Sequence, residues 1–282
     1  MNYRHAYHAG NFADVLKHAV LVGLIQALQA KPTALCYVDS HAGRGRYDLR
    51  AEQAEKTGEH HGGIQRLAGV AALPPLLADY LRQVAACNAD AEAVTIYPGS
   101  PLLAQSLLRE QDRAILCELH PEEAAALKAL FRDDPRLAVH QRDGYGALKA
   151  LLPPVQRRGV VLIDPPFEAQ AGEFATIESA LRPALARWPS GVYAIWYPIK
   201  QDADVVPFHR WLAHEAGAAR VLVAEVLLRP ADTPLRLNGC GMAIVNPPWR
   251  FEQALQPALD VLARHLGDAG LGRSRLTWLA GP

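Results

Sequence analysis

Apolar residues recur along this chain with two different periods. Seven short runs are aliphatic or β-branched on both faces: Ala34–Ser40 (ALCYVDS), Ala114–Leu119 (AILCEL), Leu137–Arg142 (LAVHQR), Gly159–Asp164 (GVVLID), Val192–Tyr197 (VYAIWY), Arg220–Leu228 (RVLVAEVLL) and Met242–Asn246 (MAIVN). Runs apolar on both faces suit central parallel strands covered by helices better than a half-wet antiparallel sheet. Between most of them the period lengthens to that of a helix. Phe12, Val15, Leu16, Ala19, Val20 and Leu24 make one stripe, and Pro121–Phe131, Tyr145–Leu152, Gly172–Trp188 and Asp204–Gly217 make others. Alternation of strand and helix predicts an α/β sheet with right-handed crossovers.

Two stretches break the alternation. From about Leu49 to Pro98 the chain is first polar (AEQAEKTGEHHGG) and then helical (Ile64–Gly69, Leu76–Cys87). This predicts a helical subdomain, residues 49–97, inserted into a core made of residues 1–48 and 98–282. The last two strands are joined by RPADTPLRLNGCG, which is rich in turn formers and leaves no room for a crossover helix. Strands joined by such a loop are most simply antiparallel. The expected fold is thus a mostly parallel seven-stranded sheet closed by an antiparallel hairpin. That is the Rossmann-like arrangement usual in methyltransferases that use S-adenosylmethionine (SAM), and it differs from the all-parallel dinucleotide fold.

Composition narrows the class. Half of the 282 residues are hydrophobic and 21% are charged, as in an ordinary globular protein. No apolar run approaches the ~20 residues that span a bilayer, and the N-terminus mixes charge and histidine from the start, unlike a signal peptide. Cys36, Cys87, Cys117 and Cys240 lie far apart with no CxxC pair, so they read as reduced thiols of a cytoplasmic protein. Charge balances at 29 against 29, which excludes a global basic field for coating nucleic acid. Even so, 23 of the 29 basic residues are Arg, the side chain suited to bidentate contacts with phosphate and bases. Arg44, Arg46, Arg50, Arg157 and Arg158 are candidates for a local phosphate track.

Candidate chemistry gathers at strand ends. In VDSHAGRGRYD, Gly43 and Gly45 follow the first strand, where glycine allows a tight turn and close approach of a ligand. A dinucleotide fingerprint would need a third glycine where Asp48 stands, and an acidic residue about twenty positions on. The next acidic strand end is instead Glu118 in LCELHP, a carboxylate able to accept both ribose hydroxyls of a nucleoside. Asp143-Gly144 follows the third strand. It suits a nucleoside site, and equally an ordinary strand-ending turn.

Asp164-Pro165-Pro166-Phe167 is the most informative stretch. It falls at the carboxyl end of a central strand, where open α/β sheets bind ligands, and its prolines hold the chain extended. An exocyclic amino group is a poor nucleophile because its lone pair is delocalised into the ring. The Asp164 carboxylate and the Pro165 carbonyl supply two acceptors for its two N–H bonds. They turn the nitrogen lone pair toward a methyl donor, while Phe167 stacks on an extruded base. Acceleration then comes from positioning and electrostatics. A look-alike, Asn246-Pro247-Pro248-Trp249, ends the last strand away from the sheet's switch point. There it reads as a structural turn with a packed Trp.

The N-terminal YRHAYHAGNFADVLKH offers His5, His8 and His18, but in no common zinc spacing, so no metal is expected. Asn11 is the expected helix N-cap. This block, with DSHAGRGRYDL, YPGSPLL, ELHP, RDGY, LIDPPF, WYPI and NPPW, resembles the bacterial family of large-subunit ribosomal RNA adenine-N6 methyltransferases (methyltransferase J). The resemblance runs in order from Tyr3 to about Trp278. It implies methyl transfer from SAM to N6 of one adenine in 23S rRNA, on protein-free or partly assembled RNA; a monomer with no membrane partner is the accompanying expectation. It also implies that His18, His41, Ser100, Glu118, Asp143, Gly144 and Asp164 form the cofactor site, to which the glycine turn adds Gly43. Asp164 is then the catalytic acceptor, and Tyr3, Lys17, Pro165 and Phe167 meet the substrate. Phe167 stands where the family carries Tyr, a change that keeps stacking. Two alternatives stay open on the residues alone: a DNA adenine-N6 methyltransferase, and a non-catalytic nucleic-acid-binding protein acting in DNA uptake. A nicotinamide-dependent dehydrogenase fits less well, for want of the third glycine.

Overall fold

The computed structural model describes residues 4–89, 93–167, 170–233 and 237–282. Each of the seven expected strands is present: β1 (Cys36–Asp39), β4 (Arg113–Glu118), β5 (Leu137–Gln141), β6 (Gly159–Ile163), β7 (Val192–Ile199), β8 (Val221–Leu227) and β9 (Gly239–Val245). An eighth, β10 (Arg273–Ala280), pairs antiparallel with β8 at the sheet edge, so the order is β5-β4-β1-β6-β7-β9-β8-β10. The expectation of seven strands is corrected by this half-exposed edge strand, whose RSRLTWLA sequence has no continuous apolar run. β1, β4, β5, β6 and β7 run parallel. β9 lies antiparallel between β7 and β8, which makes β8–β9 the closing hairpin.

Strand side chains alternate between two apolar layers. Tyr37, Leu116, Leu162 and Ala194 face α1 (Phe12–Gln29), α4 (Ser100–Leu107), α5 (Pro121–Leu130) and α9 (Phe251–Leu266). Val38, Val161, Ile163 and Ile195 face α6 (Gly144–Leu151), α7 (Gln170–Arg187) and α8 (Asp202–His214). This period-two partition is what buries both faces of the sheet. α1 is long and apolar enough to cross a bilayer by length and composition, yet 83% of it is buried inside the protein. Its all-round apolar surface is that of a core helix.

The segment after β1 returns on itself. β2 (Arg46–Asp48) pairs antiparallel with β3 (Ile96–Pro98), and between them lie α2 (Glu52–Thr57), two 3₁₀ turns and α3 (Pro75–Ala86). Leu76, Leu77, Tyr80 and Val84 of α3 join the same apolar layer as α1. Gly23 of α1 permits the approach, since a Cβ there would run into Leu76.

Candidate active site

Three adjacent parallel strands end in carboxylates. Asp39 closes β1 and pairs in register with Leu116 of β4 and Leu162 of β6, so Glu118 and Asp164 lie two residues beyond it on either side. β4 continues to one edge and β6 to the other, which makes β1/β6 the switch point of the sheet, the place where open α/β sheets bind ligands. A cavity of about 410 Å³ opens there, within the ~300–1,000 Å³ usual for small-molecule sites.

Glu118 is held by two backbone donors. Gly43 N lies 2.8 Å from Oε2 and His120 N 2.7 Å from Oε1. Each oxygen keeps a lone pair for a hydroxyl donor. Gly43 is in the left-handed region (φ +62°), and a Cβ there would strike the Tyr47 hydroxyl. His120 Nδ1 is buried with no partner among the described residues.

Asp164 belongs to a buried ion triad. Lys17 Nζ donates to Asp164 Oδ2 at 2.5 Å and to Asp14 Oδ1 at 2.7 Å, and His5 Nε2 lies 2.9 Å from Asp14 Oδ2. Local structure aims these groups. Asn11 caps α1 by accepting from Asp14 N, which sets Asp14 and Lys17 one turn apart on the face turned to the strand ends. Burial opposes charge on Lys17, but the two carboxylates outweigh it and hold its pKa well above the usual value. Burial likewise pushes Asp14 up, yet His5 and the Lys17 charge beside it bring it well below the ordinary carboxylate range. Asp164 Oδ1 and the Pro165 carbonyl accept no hydrogen bond among the described residues.

The cavity brings together His18, His41, Gly43, Ser100, Glu118 and Asp164, and also Lys17, Pro165 and Phe167. Phe167, 8% exposed and at φ +46°, sets its ring edge-on against Phe174 and Trp196. Asp143 and Gly144 do not line the cavity. Asp143 caps α6 by accepting from Gly146 N at 2.7 Å, and a Cβ on Gly144 would collide with the Ser40 carbonyl. Tyr3 lies outside the described residues. His41 stands edge-on to Tyr145, and burial pulls its pKa down to about 4.

Sequence reasoning passed over Asp39. Its carboxyl accepts from Tyr37 Oη at 2.5 Å and Ser100 Oγ at 2.7 Å, and burial raises its pKa to about 6. Its place at the end of the first strand was the one signal that could have found it. Asp14 left a weaker one, its i, i+3 spacing to Lys17.

Two sequence expectations are corrected. Arg44 is engaged by Glu123 in a fork at 2.8 and 2.7 Å, Arg50 by Asp48, and Arg158 by the Leu28 and Thr33 carbonyls. Arg157 and Arg158 also precede β6, at the end of the sheet away from the cavity. The five arginines therefore make no continuous track. The Asn246 turn is structural, since Nδ2 donates to the Pro189 and Gly191 carbonyls at 2.8 Å each. Its Trp249, however, is 79% exposed with the Arg250 guanidinium over its ring, in the turn that leads into α9.

A family model described as "Ribosomal RNA large subunit methyltransferase D, RlmJ" matches residues 32–280. The chain is 39% identical over 282 residues to ribosomal RNA large subunit methyltransferase J of Escherichia coli (strain K12), covering 99% of both chains. It is 38% identical over 279 residues to the protein of that name from Haemophilus influenzae, again covering 99% of both. Among solved structures, a protein from Legionella pneumophila superposes with a TM-score of 0.87 at 34% identity, covering 96% of this chain and 98% of that one.

Proposed function

Because the chain belongs to the family of ribosomal RNA large subunit methyltransferases J, we propose that it methylates N6 of a specific adenine in 23S rRNA with SAM as methyl donor. The observation that carries the reading is the pair of uncommitted acceptors, Asp164 Oδ1 and the Pro165 carbonyl, at the switch-point cavity. SAM supplies a methyl group activated as a sulfonium.

The residues present fit that group. Glu118, pre-oriented by Gly43 N and His120 N, would accept from the two ribose hydroxyls. The bare backbone at Gly43 admits the nucleoside. His18, His41 and Ser100 line the rest of the cavity, and Asp143-Gly144 support it through Ser40.

On the substrate side, Asp164 Oδ1 and the Pro165 carbonyl take the two amino N–H bonds of an extruded adenine. Withdrawing those hydrogens from the ring plane leaves the nitrogen lone pair directed, so the main contribution is positioning with fixed electrostatics. Lys17 anchors Asp164 through Oδ2 and leaves Oδ1 for the base. Phe167 offers the apolar wall against which the base lies, and the family resemblance assigns Tyr3 to the substrate nucleotide. In this reading residues 49–97 are an inserted helical subdomain behind the site. The enzyme works in the cytoplasm as a monomer on protein-free or partly assembled RNA.

The test is transfer of label from methyl-labelled SAM to deproteinised 23S rRNA lacking the modification, with a DNA control, followed by nucleoside chromatography. Label migrating with N6-methyladenosine from RNA is expected. Label in another nucleoside, or from DNA alone, would overturn the assignment.

A further inference from the structure

Two tyrosines of the segment after β1 reach His18 behind the cavity wall. Tyr97 Oη, on β3, lies 2.7 Å from His18 Nδ1 and 2.9 Å from Tyr80 Oη, on α3. Both tyrosines are fully buried. Among the described residues, Tyr97 Oη is the sole hydrogen-bond partner of Tyr80 Oη.

Counting protons fixes the direction of this chain. Tyr97 has one hydroxyl hydrogen and two neighbours. Were it aimed at Tyr80, the Tyr80 hydrogen would be buried without an acceptor, at the full desolvation cost of that donor. Aimed at His18, it satisfies every member: Tyr80 donates to Tyr97, and Tyr97 donates to Nδ1. Burial, with the Lys17 charge beside it, holds the His18 pKa well below its usual value, so the ring is neutral. A neutral imidazole that accepts at Nδ1 carries its proton on Nε2. His18 lines the cavity, and Nε2 makes no hydrogen bond among the described residues.

We propose that Tyr97, backed by Tyr80, is a positioning residue that locks His18 in its Nε2–H tautomer, so that the ring presents a donor to a carboxylate or carbonyl oxygen of the ligand in the cavity. The proposal rests on the reading of His18 as a cofactor-site residue. Residues 49–97 thereby contribute to the site, because they supply the two hydroxyls that set the proton on a side chain of α1.

Long-range proton–nitrogen NMR on the full chain tells which His18 nitrogen is protonated, with His18→Ala identifying the signal among the chain's histidines. The expected result is an Nε2–H ring in the wild type and a mixture of tautomers in Tyr97→Phe. SAM affinity should fall roughly three- to tenfold in Tyr97→Phe, the loss of a hydrogen bond of about 1 kcal/mol, less in Tyr80→Phe and more in His18→Ala. An Nδ1–H ring in the wild type overturns the proposal whatever the affinities. Affinity lost in His18→Ala but unchanged in Tyr97→Phe overturns it as well. Unchanged affinity in His18→Ala together with an Nε2–H ring instead overturns the assignment of His18 to the cofactor, and with it the ligand part of the proposal.

Discussion

The chain carries the same Pro-Pro turn twice, and the two copies have opposite fates. Asp164-Pro165-Pro166-Phe167 ends β6 at the switch point, where the carboxylate meets Lys17 and the aromatic ring is buried on the cavity wall. Asn246-Pro247-Pro248-Trp249 ends β9, which runs antiparallel to β7, so the turn emerges at the other end of the sheet. There the amide is spent on the Pro189 and Gly191 carbonyls and the Trp is exposed. Local sequence makes both turns, but topology decides which one faces a cavity.

Substitution should separate the two copies most sharply at their polar residues. Asp164→Ala is expected to lower turnover by at least ~10²–10³-fold, the scale for losing a fixed polar contact at the reacting atoms. Lys17 keeps Asp14 as partner, so the melting transition should survive. Near-wild-type turnover would erase the distinction between the copies. Glu118→Ala tests the cofactor side of the same cavity. SAM affinity should drop roughly 10- to 100-fold, as for hydrogen bonds to a charged group worth about 1.5–3 kcal/mol, and calorimetric titration reads it directly.

At the other end, Asn246→Ala should leave the activity of the folded enzyme intact and destabilise it by about 2 kcal/mol. It loses two hydrogen bonds and puts Ala at φ +54°. Denaturant unfolding measures the difference, and a loss of turnover without loss of stability would reverse the comparison.

The ends also differ in acid. His41, at the cavity, is held neutral with a pKa of about 4, so between there and about pH 6.5 the unfolded chain binds the extra proton. Stability from this group is full above about pH 6.5 and is lost as the pH falls toward 4. His41→Asn should therefore flatten the acid limb of the stability curve by about 1–3 kcal/mol. An unaltered limb would place the titration elsewhere. The smallest effect is expected for Trp249→Ala, within about 0.5 kcal/mol of wild type in stability, as for exposed positions generally, and with unchanged SAM affinity.

Much of this was legible in the residues. Strands buried on both faces announce themselves as unbroken apolar runs, which is why β1 and β4 to β9 were readable. β10 was not, because an edge strand half in solvent alternates Arg, Ser, Leu, Thr and Trp with no run to find. α9 has a full apolar stripe, from Phe251 and Leu255 to Leu262 and Leu266. It escapes a reading by alternation because it follows the closing hairpin, beyond the last strand that an apolar run reveals. Among the site residues, Glu118 and Asp164 were visible because strand ends can be located from sequence. Tyr80 and Tyr97 were hidden, since their roles depend on a long segment folding back onto α1, and Asp14 left only its spacing to Lys17. The arginines misled for a related reason: charge can be counted in a sequence, but whether Glu123 or Asp48 already holds it cannot.

The most direct measurement is a crystal structure with S-adenosylhomocysteine and adenosine 5′-monophosphate bound together. The account predicts the adenine amino group between Asp164 and the Pro165 carbonyl, its nitrogen facing the thioether sulfur, and the ribose of the homocysteine compound on Glu118. An amino group turned away from Asp164, or either ligand bound at the Asn246 end of the sheet, would contradict it.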